Sequence, residues 1–226
     1  MRVLAIIPAY NEEESLSPTV EEFLAARTGC DYLVVNDGSS DGTERICRER
    51  GYVHVTHPVN IGLTGGFQTG VRYALENGYD AVVQFDADGQ HVPSYLPALV
   101  AEMERSGANI VIGSRFASEG KPLSARMIGS RLLTALIRLT CGQRVCDPTS
   151  GLRLYDRAMM KEFAQRFDFG PEPDSLAYLM RHGAKVSEVQ VEMRERSAGE
   201  SYLSLGRSIS YMARACTSIL FVQWFR

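Results

Sequence analysis

Along the first half of the chain, hydrophobic positions gather in short unbroken runs separated by glycine-rich turns and stretches of helical period. The runs "VLAII" (3–7), "YLVVN" (32–36), "VHV" (53–55), "AVVQF" (81–85) and "NIVIG" (109–113) have the continuous apolar character of strands buried on both faces. Between the first two, Leu16, Val20, Phe23 and Leu24 share a helix face, with Asn11 and Glu14 ahead of them at N-cap spacing. "DGSSDGTERICRERG" predicts a turn and a second helix, capped by Asp41 and closed by Gly51. "NIGLTGGFQTGVRYALENG" predicts a third helix that stops at Gly78, and "SYLPALVAEMERSG" a fourth. Strand and helix alternating this often, with short links, predict a Rossmann-like α/β layered fold on a mostly parallel central sheet.

After Arg115 the pattern changes. Residues 123–140 are helical in period, with Ile128, Leu132, Ala135, Leu136 and Leu139 on one stripe and Arg126, Arg131 and Arg138 interspersed. "PTSGLRLYDR" leads into a helix reaching about Phe167, then come "FGPEPDSLAYLMRHG" and an alternating strand, "KVSEVQVEM". An amphipathic helix is expected at the C-terminus, where Ile209, Met212, Cys216, Ile219 and Trp224 fall near one face. The expected organisation is a main domain over 1–204 and an appended helix over 205–226.

Composition narrows the function. A formal net charge of -3 argues against broad electrostatic binding of nucleic acid. The 5 cysteines form no CxxC pair and read as reduced cytosolic thiols. The first apolar run turns acidic too soon for a signal peptide, and no run reaches the ~20 apolar residues of a membrane span. A cytoplasmic location follows.

In parallel α/β sheets, ligands bind outside the carboxyl ends of the strands. Polar clusters stand at those ends here: Tyr10-Asn11-Glu12, Asn36-Asp37-Gly38, Asp86-Ala87-Asp88 and Ser114-Arg115. Asp86 and Asp88 follow a buried strand, and two like charges so close call for a cation. Their oxygens, with that of Gln90, suit Mg²⁺ or Mn²⁺ with substrate phosphates completing the shell. A turn at Asp88-Gly89 and a cap at Asp86 would explain the pair alone; the other clusters at the same edge tip the balance to metal. Capping and turn chemistry explain Gly38, Ser39, Ser40 and Gly42, but not Asp37, whose carboxylate could accept from a base N–H or a ribose hydroxyl. "NIGLTGGFQTG" lacks the Gly-Lys-Ser/Thr of a P-loop and the spacing of G-x-G-x-x-G. The histidines are assigned no chemistry.

In order along residues 2–202, "IIPAYNEEESL", "VVNDGSSDGT", "NIGLTGGFQTG", "FDADGQH", "GSRF", "DPTSGLRLYDR" and "RSAGES" resemble the motifs of family-2 glycosyltransferases of the A-type (GT-A) fold. Within these the chain resembles the dolichyl- or polyprenyl-phosphate mannose synthase-like branch. It departs from that branch at Gly89, where Leu is common, and at Tyr202, where Lys is common. The resemblance implies a metal-dependent inverting enzyme using a UDP-, GDP- or dTDP-sugar. It implies that Pro8, Tyr10, Asn11, Glu12 and Asp37 hold the nucleotide, that Asp86, Asp88 and Gln90 hold metal and diphosphate, and that Arg115 and Arg196 face phosphates. Absence of a Q-x-x-R-W signature points to single transfer rather than polymerisation.

The acceptor decides the remaining chemistry. A lipid phosphate, with a second pKa near ~6, is already an anionic nucleophile and needs cations, for which Arg126, Arg131, Arg153 and Arg196 are candidates. A glycan hydroxyl would need a general base, and Asp174 in "PEPDSL" is the candidate. The lipid phosphate is the preferred expectation, reached by a peripheral protein at the inner face of the membrane, with a membrane-protein partner as a further anchor.

Overall fold

A computed structural model describes residues 1–121, 125–166, 169–195 and 205–221. Its strands are β1 (Val3–Ala9), β2 (Asp31–Asn36), β3 (His54–Thr56), β4 (Ala81–Gln84), β5 (Ile110–Ser114), β6 (Arg153–Asp156) and β7 (Val186–Gln190). Its α-helices are α1 (Leu16–Ala25), α2 (Thr43–Glu49), α3 (Gly62–Glu76), α4 (Leu96–Ser106), α5 (Ala125–Cys141), α6 (Arg157–Gln165), α7 (Pro173–Arg181) and α8 (Leu205–Leu220). The strands form one 7-stranded sheet in the order β3-β2-β1-β4-β6-β5-β7. Every pairing is parallel except those of β6, which runs against both β4 and β5. The expected mostly parallel α/β sheet is therefore what forms.

Burial follows from the pleat. Successive side chains of β1 alternate between two cores, with Leu4 and Ile6 on one face and Val3, Ala5 and Ile7 on the other. The first core is closed by α3, α5, α6, α7 and α8, through residues such as Phe67, Leu133, Phe163, Leu176 and Ile219. The second is closed by α1 and α4, through Leu16, Phe23, Leu96 and Leu99. Because β1, β2, β4 and β5 run the same way, their carboxyl ends open on a single edge.

Several sequence expectations need correction. Asn11 does not cap α1: that helix starts at Leu16, and the turn ahead of it is closed by Ser15 and Leu16 N–H groups donating to the Glu12 carbonyl. Leu24 points to solvent, while Leu16, Val20 and Phe23 are buried. Along α5 the buried face is Met127, Ser130, Leu133 and Ile137, and of the expected stripe Leu136 packs partly buried on the core while Ile128, Leu132, Ala135 and Leu139 are turned outward. Ile128, Leu132 and Leu139 are 66%, 50% and 78% exposed. Both faces of α5 carry apolar residues, so periodicity alone chose the wrong one; α7 and α8 decide by packing on the other. At Gly129, an added Cβ would lie 2.8 Å from the Met212 methyl of α8, which shows how closely that helix approaches. On α8, Ala215 and Ile219 are buried and Met212 and Cys216 partly so. Arg196, Tyr202, Trp224 and the side chains of Arg126 and Ile209 lie outside the described residues.

Candidate active site

The loops after β1 and β2 are fastened to each other. The Asn11 backbone, at φ 56, donates to Ser39 Oγ (3.0 Å), and Asn11 Oδ1 accepts from the Ser40 N–H at 2.8 Å. The Glu12 N–H donates to Thr43 Oγ1 (2.9 Å), the Glu13 N–H to Asp41 Oδ2 (3.1 Å), and the Gly42 N–H to Glu13 Oε2 (2.7 Å). Asp41 also accepts from the Thr43 N–H at the start of α2, although the N-cap position itself is Gly42 and not Asp41 as expected; burial pushes the Asp41 carboxyl up, but these hydrogen bonds outweigh that and hold it below the usual range. Tyr10, partly buried, and Pro8, paired in register with Val35, stand at the same edge.

Asp37 is buried behind these loops, and its oxygens are met from within the chain. Oδ1 accepts from His57 Nδ1 (2.8 Å) and the Ile61 N–H (2.9 Å); Oδ2 accepts from the Gly62 N–H (2.8 Å). Asp37 thus closes the start of α3, where N–H groups lack helical partners. His57, which the sequence reading left without a role, bridges Asp37 to Thr69 Oγ1 at 2.9 Å. Gly38 (φ 66) lies under the same loop, where an added Cβ would come within 2.5 Å of the Val59 carbonyl carbon.

Beyond β4 the chain turns at Gly89 (φ 75) and carries Asp86, Asp88 and Gln90 around the bend. Asp86 Oδ1 accepts from Gln84 Nε2 at 2.8 Å, and the Asp86 N–H donates to His91 Nδ1 at 3.0 Å. Asp88 is buried and accepts from the Gln90 N–H at 3.1 Å; Gln90 Nε2 donates to the Arg194 carbonyl at 3.3 Å. The turn offers hard oxygen donors, a set that suits Mg²⁺ or Mn²⁺. Among the described residues no group of three or more His, Cys, Asp or Glu closes a metal cage.

Arg115, at the end of β5, is held in a fork by Asp147: Nε to Oδ2 at 2.7 Å and Nη2 to Oδ1 at 2.8 Å, with Thr149 Oγ1 at 3.1 Å. Burial pushes the Asp147 carboxyl up, but the Arg115 hydrogen bonds and charge outweigh it and hold it below the usual range. From Phe116 onward the chain borders a cleft of about 680 Å³, lined by Lys121, Arg131, Arg138 and Arg144, with Glu119 as its acidic side chain. Lys121 Nζ donates to Ser130 Oγ (2.7 Å) and Thr134 Oγ1 (3.0 Å), and burial lowers its pKa. This basic cleft was only half visible in the sequence, because Lys121 and Arg144 lie outside any motif.

Two expected site residues have partners within the chain. Arg153 is 1% exposed and donates to the carbonyls of Pro148, Ser150, Pro171 and Glu172, so it staples two loops and is not available as a surface cation. Asp174, in the first turn of α7, accepts from Ser218 Oγ of α8 at 2.7 Å, which ties the two helices together.

Comparison with known proteins agrees with this architecture. Residues 4–163 match the family described as Glycosyl transferase family 2. The chain is 38% identical over 219 residues to an undecaprenyl-phosphate mannosyltransferase of Micrococcus luteus, covering 91% of this chain and 89% of that protein. It is 33% identical to a polyprenol monophosphomannose synthase of Mycolicibacterium smegmatis, covering 90% and 81%. In three dimensions it is similar to glucosyl-3-phosphoglycerate synthase of Mycobacterium tuberculosis, solved with Mn²⁺, UDP-glucose and phosphoglyceric acid, at a TM-score of 0.73 and 20% identity, covering 99% of this chain and 80% of that one. The sheet, its polar carboxyl edge and these likenesses converge: the chain is a glycosyltransferase of family 2 with the GT-A fold.

Proposed function

We propose that this glycosyltransferase moves one sugar from a nucleotide-sugar to a polyprenyl phosphate, with inversion at the anomeric carbon and with a divalent metal. The observation that carries the acceptor is the basic cleft beside α5: Lys121, Arg131, Arg138 and Arg144 face it against Glu119. Such a lining seeks an anion. Beside it the outward residues Ile128, Leu132 and Leu139 form an apolar stripe flanked by Arg131 and Arg138. A phosphate joined to a long hydrocarbon has both requirements, and the two named relatives above act on polyprenyl acceptors. Among the described residues no helix is long and apolar enough to cross a membrane, so the α5 stripe is the surface proposed to meet the lipid leaflet.

On the donor side, Pro8, Tyr10, Asn11, Glu12 and Asp37 are proposed to hold the nucleotide, and Arg196 a phosphate. Asp86, Asp88 and Gln90 would hold Mg²⁺ or Mn²⁺, which when bound supplies positive charge against the leaving diphosphate. The acceptor phosphate oxygen forms the new bond to C1 as the bond from C1 to the diphosphate breaks. The phosphate is ionised at neutral pH, so no general base is required. On this reading Asp174 is not needed as a base. The cationic cleft holds the nucleophile in place and Arg115, fixed by Asp147, adds charge between cleft and strand edge.

The test is incubation with UDP-, GDP- and dTDP-sugars, Mn²⁺ and either undecaprenyl phosphate or a soluble glycan. A polyprenyl phosphosugar with inverted configuration is the expected product. Transfer to the glycan hydroxyl alone would overturn the acceptor assignment.

A further inference from the structure

We propose that His91 is a positioning residue for Asp86, and that its ring, together with Gln84 at the end of β4, sets where that carboxylate points; this rests on the metal-holding role proposed above for Asp86. β4 ends at Gln84, so the sheet pleat no longer fixes the direction of residue 86. The ring takes over. His91 is 3% exposed and packs edge-on against Phe85, with centroids 5.5 Å apart and planes at 66°. Nδ1 accepts the Asp86 backbone N–H at 3.0 Å, while Nε2 lies 3.6 Å from Asp86 Oδ2. A nitrogen that accepts carries no proton, so the ring N–H is on Nε2, the side that faces the carboxylate. One imidazole therefore accepts the Asp86 main-chain N–H and stands 3.6 Å from its Oδ2, beyond hydrogen-bond distance, while Gln84 Nε2 donates to the other oxygen.

Position 151 completes the arrangement. A Cβ on Gly151 would lie 2.7 Å from Asp86 Oδ2 and 3.4 Å from His91 Cε1. The φ of Gly151 is not in the left-handed region, so the glycine serves space rather than backbone freedom. Residue 151, in the loop before β6, leaves room for an Asp86 carboxylate turned as His91 holds it.

A simpler role, filling the core against Phe85, predicts something different, and His91→Phe separates the two. It keeps an aromatic ring and removes the acceptor; His91→Asn restores an acceptor near the Nδ1 position without the ring. Mn²⁺ binding followed by loss of the free-ion EPR signal, with thermal unfolding recorded alongside, is expected to weaken about 10–100-fold in His91→Phe and in Gly151→Ala, the range for removing a residue that orients a metal ligand. His91→Asn should recover most of it. Hydrogen exchange of the Asp86 amide provides a readout that needs no metal: protection falls in His91→Phe and returns in His91→Asn. Wild-type Mn²⁺ affinity and Asp86 protection in His91→Phe would overturn the proposal. Asp88→Asn with undiminished Mn²⁺ affinity would instead overturn the metal reading, leaving amide protection to decide what His91 does for Asp86.

Discussion

The two halves of the proposed site are built from opposite charges, although both are assigned phosphate-bearing ligands. The donor edge carries Glu12, Glu13, Asp37, Asp41, Asp86 and Asp88, and its loops are fastened by hydrogen bonds between them. The cleft beside α5 carries Lys121, Arg131, Arg138 and Arg144 on an open surface bordered by exposed leucines. An acidic edge repels a diphosphate unless a cation stands between them, whereas a basic cleft binds phosphate directly. On the proposed assignment, the donor half would need a metal and the acceptor half would not.

The sharpest way to break that contrast is Asp88→Asn. It should abolish turnover while circular dichroism shows an intact fold, because losing one anionic ligand weakens the metal and its hold on diphosphate. Activity persisting in EDTA would erase the distinction between the halves. Asp147→Asn attacks their boundary instead. Leaving Arg115 without its buried partner should cost about 3–5 kcal/mol in urea unfolding. The Asp147 carboxyl is held below its usual range in the folded state, so its contribution is present above the unfolded pKa of about 3.9 and is lost as pH falls through the folded value. The stability gap between wild type and variant should therefore narrow below about pH 4.

Smaller effects sharpen the comparison. Asp37→Ala removes the acceptor of the Ile61 N–H and the partner of His57 Nδ1, while the Gly62 N–H keeps Asn60 Oδ1 at 3.0 Å, and should cost about 1–3 kcal/mol of stability. Nucleotide affinity by calorimetry should fall as well; unchanged affinity would make Asp37 a loop fastener only. Replacing Arg131 and Arg138 by Gln should weaken binding to anionic liposomes by about 1 kcal/mol per charge, with nucleotide-sugar binding unaffected. Changing Ile128, Leu132 and Leu139 to Ser should shift stability by less than about 0.5 kcal/mol each, since these side chains are exposed, yet abolish liposome sedimentation.

Much of the donor half was legible in sequence because strand ends and their polar residues are adjacent in the chain: Asp37 follows β2 directly, and Asp86 comes two residues after Gln84 closes β4. The acceptor half was not. Lys121 and Arg144, which precede and follow α5, line one cleft, a proximity that no local pattern encodes. Arg153 read as a surface cation because a charge is normally solvated, but the carbonyls of Pro148, Ser150, Pro171 and Glu172 satisfy it in the interior. β6 was missed for the same reason, since that arginine begins a four-residue strand. His57 and His91 looked scattered because their partners, Asp37 and Asp86, differ in sequence separation and share no spacing rule.

The fastening of the 11–13 and 39–43 loops has a thermodynamic consequence for ligand capture. Ordering a loop on binding costs conformational entropy, roughly 1–2 kcal/mol per residue fixed. Here the Asn11–Ser40, Glu12–Thr43 and Glu13–Gly42 bonds are all made within the chain itself, so the cost of ordering these loops belongs to folding. If these loops hold the donor as proposed, its affinity would be governed by contacts and desolvation rather than by the freezing of mobile chain.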